Sequence, residues 1–480
     1  MTDRAVLVLL GLAVALFTAL GIPAHATYGA RVAVDEPQYL LTAMSIGRDG
    51  DLDISDELAG EAYRPFHRVD LPRQTRPVGV SATEISPHDP LLPVLLAVPM
   101  RLGGWVAAKA FLALVAGSLA ALTAWTAMRR FGVSRQVAVG VVAAFSCAAP
   151  LATYATQVYP ELPAALAVVG AVAAATAAPG RRSAAVLVVA VVALPWLSIK
   201  YVPVAGALAG IALWRWRRER RLPIVVAGVL GVFGAGYLIV HRGLYGGWTS
   251  YASSGAFADN GELSVVGTEP DYLGRTRRLV GLLVDDPFGL ALWMPAWLLA
   301  PVAVGVLWRR RPAGAELLLM PLAVGWFVAT FVALTMHGWW WPGRQVVVVL
   351  PLAVIGIAIT VDVWPVARRM LVPAALIGIA TWAWTTVEAI TRRHVLVVDF
   401  EDTGNPWVQL WRLALPDGRQ PTPTDSVLLT AWTVGVAALA WIGWNYAAPS
   451  TGASEIERSS MSATTVASRS GLRGAKPSRS

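Results

Sequence analysis

One cysteine, Cys147, stands in a chain of 480 residues. A single thiol excludes an internal disulfide and any metal cluster held by several thiolates. Charge is nearly as scarce. Asp, Glu, Lys and Arg make up 14% of the chain, where a soluble domain carries roughly 25%. No P-loop, dinucleotide-binding glycine motif, His-Glu-x-x-His or nucleophile elbow occurs where it could work. Nucleotide-driven transport and soluble nucleotide-sugar chemistry therefore have no visible support. The net charge of +9 raises nucleic acid as a partner. The basic residues, however, fall in short clusters between apolar runs, the pattern that orients membrane helices, so no nucleic acid is expected.

What the chain has is apolar surface. Hydrophobic residues make up 56% of it, and the mean hydropathy is +0.57. They recur in runs of about 20 residues, the length a helix needs to cross the hydrocarbon core. An ordinary cytosolic enzyme, a disordered scaffold and a secreted disulfide-rich protein are excluded. The expected fold is all-α, a polytopic membrane helix bundle of about 12 transmembrane helices, with the lipid bilayer as its solvent. The spans read near 5–23, 105–128, 136–153, 161–178, 183–199, 200–214, 222–241, 288–307, 315–336, 345–363, 370–389 and 425–447. Ala-His-Ala (24–26) gives the first span a cleavage-like end. The eleven spans that follow favour an uncleaved first helix over a signal peptide.

Arginines set the expected orientation. Arg129, Arg130 and Arg135, then Arg181 and Arg182, then the run 214–221, Arg309 to Arg311, and Arg368 with Arg369 occupy every second loop. Those loops are expected to be cytoplasmic, with both termini on the same side. Residues 1–447 then form one transmembrane domain. Its loops on the other face are 24–104, 242–287, 337–344 and 391–424. Residues 448–480, rich in Ser, Thr and Arg, are expected to be a disordered cytoplasmic tail. Within the long first loop, 37–47 reads as weakly amphipathic, and 90–102 is apolar but too short to span. Leu-Pro-Trp-Leu-Ser-Ile-Lys-Tyr-Val-Pro (194–203) predicts a break between the fifth and sixth spans.

The residues that could carry chemistry collect on the face opposite the arginine loops. Asp35 and Glu36 stand side by side in Val-Asp-Glu-Pro-Gln-Tyr-Leu, with Pro37 set to start a helix. Adjacent carboxylates at a membrane boundary raise one another's pKa and suit a general base; they equally suit a helix start that favours the dipole. Glu161, in Tyr-Pro-Glu-Leu-Pro, is an ionisable residue at the end of a span and a functional candidate for that reason. His88 and Asp89 follow in Ser-Pro-His-Asp-Pro. Lys200 sits at the break between spans, as a snorkelling anchor or a phosphate ligand. Arg344 closes the turn Trp339-Trp340-Trp341-Pro342-Gly343-Arg344, where arginine suits phosphate or carboxylate and tryptophans sit readily at the headgroups.

Six segments carry a resemblance. Asp-Glu-Pro-Gln-Tyr-Leu-Leu-Thr-Ala (35–43), followed by Arg-Asp-Gly-Asp-Leu-Asp-Ile (48–54), resembles the first periplasmic loop of bacterial GT-C glycosyltransferases related to the protein O-mannosyltransferases. Ser-Pro-His-Asp-Pro-Leu-Leu-Pro (86–93), Val-Tyr-Pro-Glu (158–161), Leu-Pro-Trp-Leu-Ser-Ile-Lys-Tyr (194–201) and Leu-Leu-Val-Asp-Asp-Pro-Phe-Gly-Leu (282–290) follow in the same order. The 339–344 turn is similar to a tryptophan–glycine–arginine turn of that group. The resemblance runs over most of residues 1–360. Two departures stand out: no large soluble C-terminal domain is expected within these residues, and His-Asp-Pro occupies the place of His-x-Pro-Gly.

The resemblance implies an inverting, mannosyltransferase-like enzyme. Its donor would be a polyprenyl-phosphate sugar and its acceptor an extracytoplasmic hydroxyl on a cell-envelope glycan, lipid or protein. Asp35 would be the base, Glu36 its neighbour and Glu161 a second acid. His88, Lys200, Tyr201 and Arg344 would bind substrate, with Lys200 and Arg344 on the lipid phosphate. No cofactor is implied with certainty, and a divalent cation stays open. The expected location is the plasma membrane of a bacterium. The alternative reading is a transporter or flippase for a lipid-linked or polar solute.

Overall fold

The computed structural model describes residues 1–78, 83–219, 221–257 and 261–447. The expected disordered tail, 448–480, lies outside them. Each expected span holds a helix: Asp3–Ala19, Leu91–Phe131, Arg135–Ser146, Glu161–Ala175, Arg181–Leu197, Val202–Arg215, Leu222–Tyr245, Leu299–Arg310, Ala315–Phe327, Leu350–Val363, Pro365–Ile390 and Pro423–Tyr446. Five helical stretches among the described residues have the length and apolarity to cross a membrane unaided. The chain is an all-α, multi-pass membrane protein. The strands among the described residues are one two-residue pair, Pro77–Val78 with Thr83–Glu84.

Local chemistry explains most boundaries. Five of these helices, starting at Val202, Leu222, Leu350, Pro365 and Pro423, carry proline in their first turn, where the missing N–H is harmless and the fixed φ suits a helix. The long helix Leu91–Phe131 is two helices joined at Gly103 and Gly104, with Gly104 at φ +62°. That break separates the short apolar stretch of the first loop from the second span, as the sequence suggests.

Three spans differ from expectation, each at a proline. The eighth is broken into Leu290–Trp293, Pro295–Leu298 and Leu299–Arg310, because Met294 turns extended ahead of Pro295. The third ends at Ser146, short of Pro150. The tenth starts at Leu350, one residue before Pro351. A fourth difference concerns burial. The stretch 37–47, which reads as weakly amphipathic, lies in helix Glu36–Arg48, whose residues from Glu36 to Ser45 are all buried. It packs on helix Leu91–Phe131.

The two faces of the bundle are separately knitted. At one, Arg129 and Arg135 hold Asp3 at 2.7 and 3.3 Å, Ser134 donates to Asp362 at 2.5 Å, and Arg215 pairs with Glu316. At the other lie the first loop, the 337–344 turn and the 391–424 loop. Between them, helices meet through small residues, as membrane bundles do without a hydrophobic drive between helices. A Cβ at Gly117 would strike the Gly11 carbonyl, and one at Gly443 the Val302 carbonyl. Val225, Val232, Phe233 and Ile239 on one helix and Val427, Val434 and Trp441 on another are exposed. Those apolar faces suit lipid rather than water.

Candidate active site

The site begins with a strained backbone. Val34 has φ +53°, a left-handed conformation that a β-branched residue adopts only when its surroundings force it. The surroundings here are hydrogen bonds. Gln74 Nε2 donates to the Val34 carbonyl at 3.0 Å, and the Tyr159 hydroxyl donates to the Ala33 carbonyl at 3.4 Å. Glu36 does the most. Its Oε2 accepts from the Ala33 N–H at 2.8 Å and its Oε1 from the Val158 N–H at 2.6 Å. The residue is fully buried; burial pushes its carboxyl up, against those two donors. Both Glu36 oxygens are thus occupied by backbone, so its geometry is that of a brace for the loop.

Asp35, next to this brace, faces the other way. Its Oδ2 accepts from Arg344 Nη2 at 2.8 Å. The same guanidinium donates through Nε to Glu161 Oε1 at 3.2 Å, and Lys200 Nζ reaches that oxygen at 2.8 Å. Arg344 lies 4.1 Å from the centroid of the Tyr159 ring and 5.4 Å from that of Trp340. Four residues spread from 35 to 344 therefore form one chain of ion pairs: Asp35, Arg344, Glu161, Lys200. The Glu161 side chain is fully buried, and Lys200, the most open of the four, is 23% exposed. Two carboxylates and two cations balance, which is how charge survives burial. Burial pushes the Asp35 carboxyl up, but the groups facing it, Arg344 first and then His88 and Lys200, together hold it below the usual range.

The remaining candidates surround this chain. His88 stacks on Tyr39 with ring centroids 4.5 Å apart, and burial pushes its imidazole down, so it is neutral at pH 7. Tyr201 is buried, with Lys200 Nζ 5.1 Å from its ring centroid. His88 Nε2, Glu161 Oε2 and the Tyr201 hydroxyl are buried atoms with no hydrogen-bond partner among the described residues. A cluster of unsatisfied donors and acceptors around paired charges fits a ligand rich in hydroxyls, since buried polar groups otherwise find partners. The tryptophan turn divides: Trp341 is buried, Trp339 is 68% exposed.

The sequence singles out Asp89 and the 282–290 motif, but not the partners through which they fix these groups in place. Asp89 is a hub: Tyr237 and His241 both donate to its Oδ1 at 2.9 Å, and the Ile199 N–H donates to its Oδ2 at 3.0 Å. That last bond ties the first loop to the residue before Lys200. Asp285 meets His337 at 3.1 Å and Asp286 meets Arg412 at 3.0 Å, which joins the 282–290 motif to the turn leading to Arg344 and to the 391–424 loop. The local signal was the Asp-Pro dipeptide alone. For a divalent cation, the described residues assemble ligand atoms away from the ion-pair chain, at Asp49, Asp56 and Glu57, all within 4.8 Å of one another. Burial, with Asp56 beside it, pushes the Glu57 carboxyl up to about 8.

No family model matches the chain, and no curated protein matches it. A solved structure does. The crystal structure of ArnT from Cupriavidus metallidurans bound to undecaprenyl phosphate superposes with a TM-score of 0.53 over 91% of this chain and 76% of that one, at 14% identity. The chain has the GT-C fold. The apo oligosaccharyltransferase of Archaeoglobus fulgidus is a more distant similarity, with a TM-score of 0.40, 10% identity, and coverage of 88% of this chain and 59% of that one. In the GT-C fold as built here, the long first loop, the break at 198–201 and the 339–344 turn converge on one face.

Proposed function

We propose that this protein is an inverting glycosyltransferase that moves a sugar from a polyprenyl-phosphate donor to an extracytoplasmic hydroxyl, with Asp35 as the base. The observation that carries this reading is the ion-pair chain Asp35–Arg344–Glu161–Lys200, bordered by unpartnered polar atoms at the membrane face. The undecaprenyl phosphate in the ArnT structure supports a lipid-linked donor.

The chemistry follows from charge. In the donor, the sugar's anomeric carbon is bonded to a lipid phosphate that carries one negative charge as a diester. The acceptor oxygen attacks that carbon, the carbon–oxygen bond to phosphate breaks, and the acceptor proton passes to Asp35. The leaving monoester gains a second negative charge. Arg344 and Lys200 stand where that growing charge is met, and fixed cations in a water-poor site are effective at this task. Glu161 holds both cations in place when the phosphate is absent. His88 and Tyr201 supply a neutral acceptor and a hydroxyl for the sugar. Glu36 positions Asp35 through the backbone rather than reacting.

The test is consumption of a panel of polyprenyl-phosphate sugars by purified protein with native membrane acceptors, Asp35→Asn alongside. One donor consumed by the wild type alone supports the class and the base together. Equal consumption by both proteins removes Asp35 from its role. If no donor is touched while a labelled lipid or solute crosses proteoliposomes unchanged, the transporter reading replaces this one.

A further inference from the structure

A cavity of about 280 Å³ opens where helices Asp3–Ala19 and Pro365–Ile390 end and the second span begins. It is lined by His25, Arg31, Arg68, Trp105, Arg392 and His394. No carboxylate pairs with any of the three arginines among the described residues. Of the acids nearby, Asp70 pairs with Arg64 at 2.8 Å, and Asp399 bonds the Tyr28 hydroxyl at the cavity edge, with Asp402 also near that tyrosine. The electrostatic neighbours of half-buried Arg31 are Arg392 and Arg68, both of like charge. His25 faces the same three arginines. His394 Nε2 is buried without a partner.

Arg31 is half-buried while Arg68 and Arg392 are exposed, and an anion in the cavity would relieve the crowding of like charge. One residue adds a separate indication. Arg392 has φ +60°, two positions after the helix Pro365–Ile390 ends, where glycine is the comfortable residue. That left-handed turn carries Arg392 onto the cavity wall. The surroundings indicate the anion's source. Trp105 lines the cavity, and Leu102 and Val106, close to it in sequence, are exposed, an apolar surface that suits lipid. Guanidinium forks match phosphate oxygens in pairs, and basic pockets at helix ends suit anionic headgroups.

We propose that this cavity binds the phosphate of a membrane-lipid headgroup, at a site separate from the Asp35–Arg344 chain. The inference stands apart from the glycosyl-transfer reading. An occupant would tighten the strap leading to Asp35. Leu396 and Val397 donate their N–H groups to the His25 and Ala26 carbonyls at 2.8 and 2.9 Å, and Lys109 Nζ donates to the Arg31 carbonyl at 2.7 Å.

The experiment titrates purified full-length protein in detergent with phosphatidylglycerol, phosphatidylcholine or inorganic phosphate, reading the thermal unfolding temperature and the lipid retained. Phosphatidylglycerol should raise the unfolding temperature, and Arg31→Gln with Arg68→Gln should weaken its apparent affinity at least tenfold. Arg392→Gly keeps the proposal testable if the double variant folds poorly: it removes one guanidinium, relieves the backbone, and should bind the lipid more weakly while unfolding no earlier than the wild type. Variants that respond as the wild type does overturn the site. Inorganic phosphate as effective as phosphatidylglycerol overturns the lipid as occupant, and phosphatidylcholine as effective overturns the charge basis.

Discussion

Arg344 holds Asp35 at 2.8 Å and Glu161 at 3.2 Å with the same guanidinium, while its flat face rests on Tyr159. Only a planar fork does all three. Arg344→Ala leaves two buried carboxylates with one lysine between them, and transfer should fall by about 10²–10³-fold. Arg344→Lys should not restore it, because an ammonium is a point charge without a fork. Donor titrations of both variants check this; an intact apparent donor affinity in Arg344→Ala would remove the residue as a phosphate ligand.

The pH dependence follows from the same pair. Asp35 must be unprotonated to act, so the rate falls as pH falls through its pKa. In the free protein Arg344 and the other groups facing Asp35 together keep that pKa below the usual carboxylate range, so kcat/KM should hold until the pH drops below about 4. A donor phosphate that draws Arg344 and Lys200 to itself leaves the carboxyl buried with less support. The acid limb of kcat should then lie at higher pH than that of kcat/KM. Coincident limbs would show that the phosphate does not engage these cations. The pair's stabilisation has the matching sign: fully present above the unfolded value, lost as pH falls through the lower folded one.

Glu36→Gln separates brace from base. The amide keeps one acceptor and presents an N–H₂ to the other backbone donor, which should destabilise the fold by about 1–3 kcal/mol. Asp35→Asn should lower transfer by about 10²–10⁴-fold with little change in unfolding temperature. Thermal unfolding run beside activity shows whether the two acids divide in this way.

Gly117→Val tests the bundle itself. Its Cβ would meet the Gly11 carbonyl, forcing the first two spans apart at a cost of about 1–3 kcal/mol. The same change at Gly228, which has open space around it, should be tolerated; equal loss at both positions would argue against the close approach.

Hydropathy made the spans legible, and proline and glycine made many of their ends legible. Gly103–Gly104 and the 194–203 break are both where punctuation placed them. The breaks before Pro295 and Pro150 were hidden because apolar runs continue through them. Asp35, Glu161, Lys200 and Arg344 were legible as charges stranded near one membrane face. Their pairing was not, since it depends on residues up to 309 positions apart. Glu36 read as half of a reactive pair; its role turns on the Val158 N–H, and a backbone donor leaves no trace in composition. Asp89 finds Tyr237 and His241 on a span whose few polar groups look incidental in the sequence. The basic cavity was invisible for a related reason. Its arginines are Arg31 and Arg68 of the first loop and Arg392 of the 391–424 loop, and they meet only in the fold.

The 309 residues between Asp35 and Arg344 also set an order in time. At synthesis rates of about 5–20 residues per second, Asp35 is made roughly 15–60 s before the arginine that will neutralise it. Glu161 waits far less, because Lys200 follows it by 39 residues. The older carboxylate must spend that interval in water or against a temporary partner. A nascent chain halted before residue 344 should therefore keep its first loop open to protease.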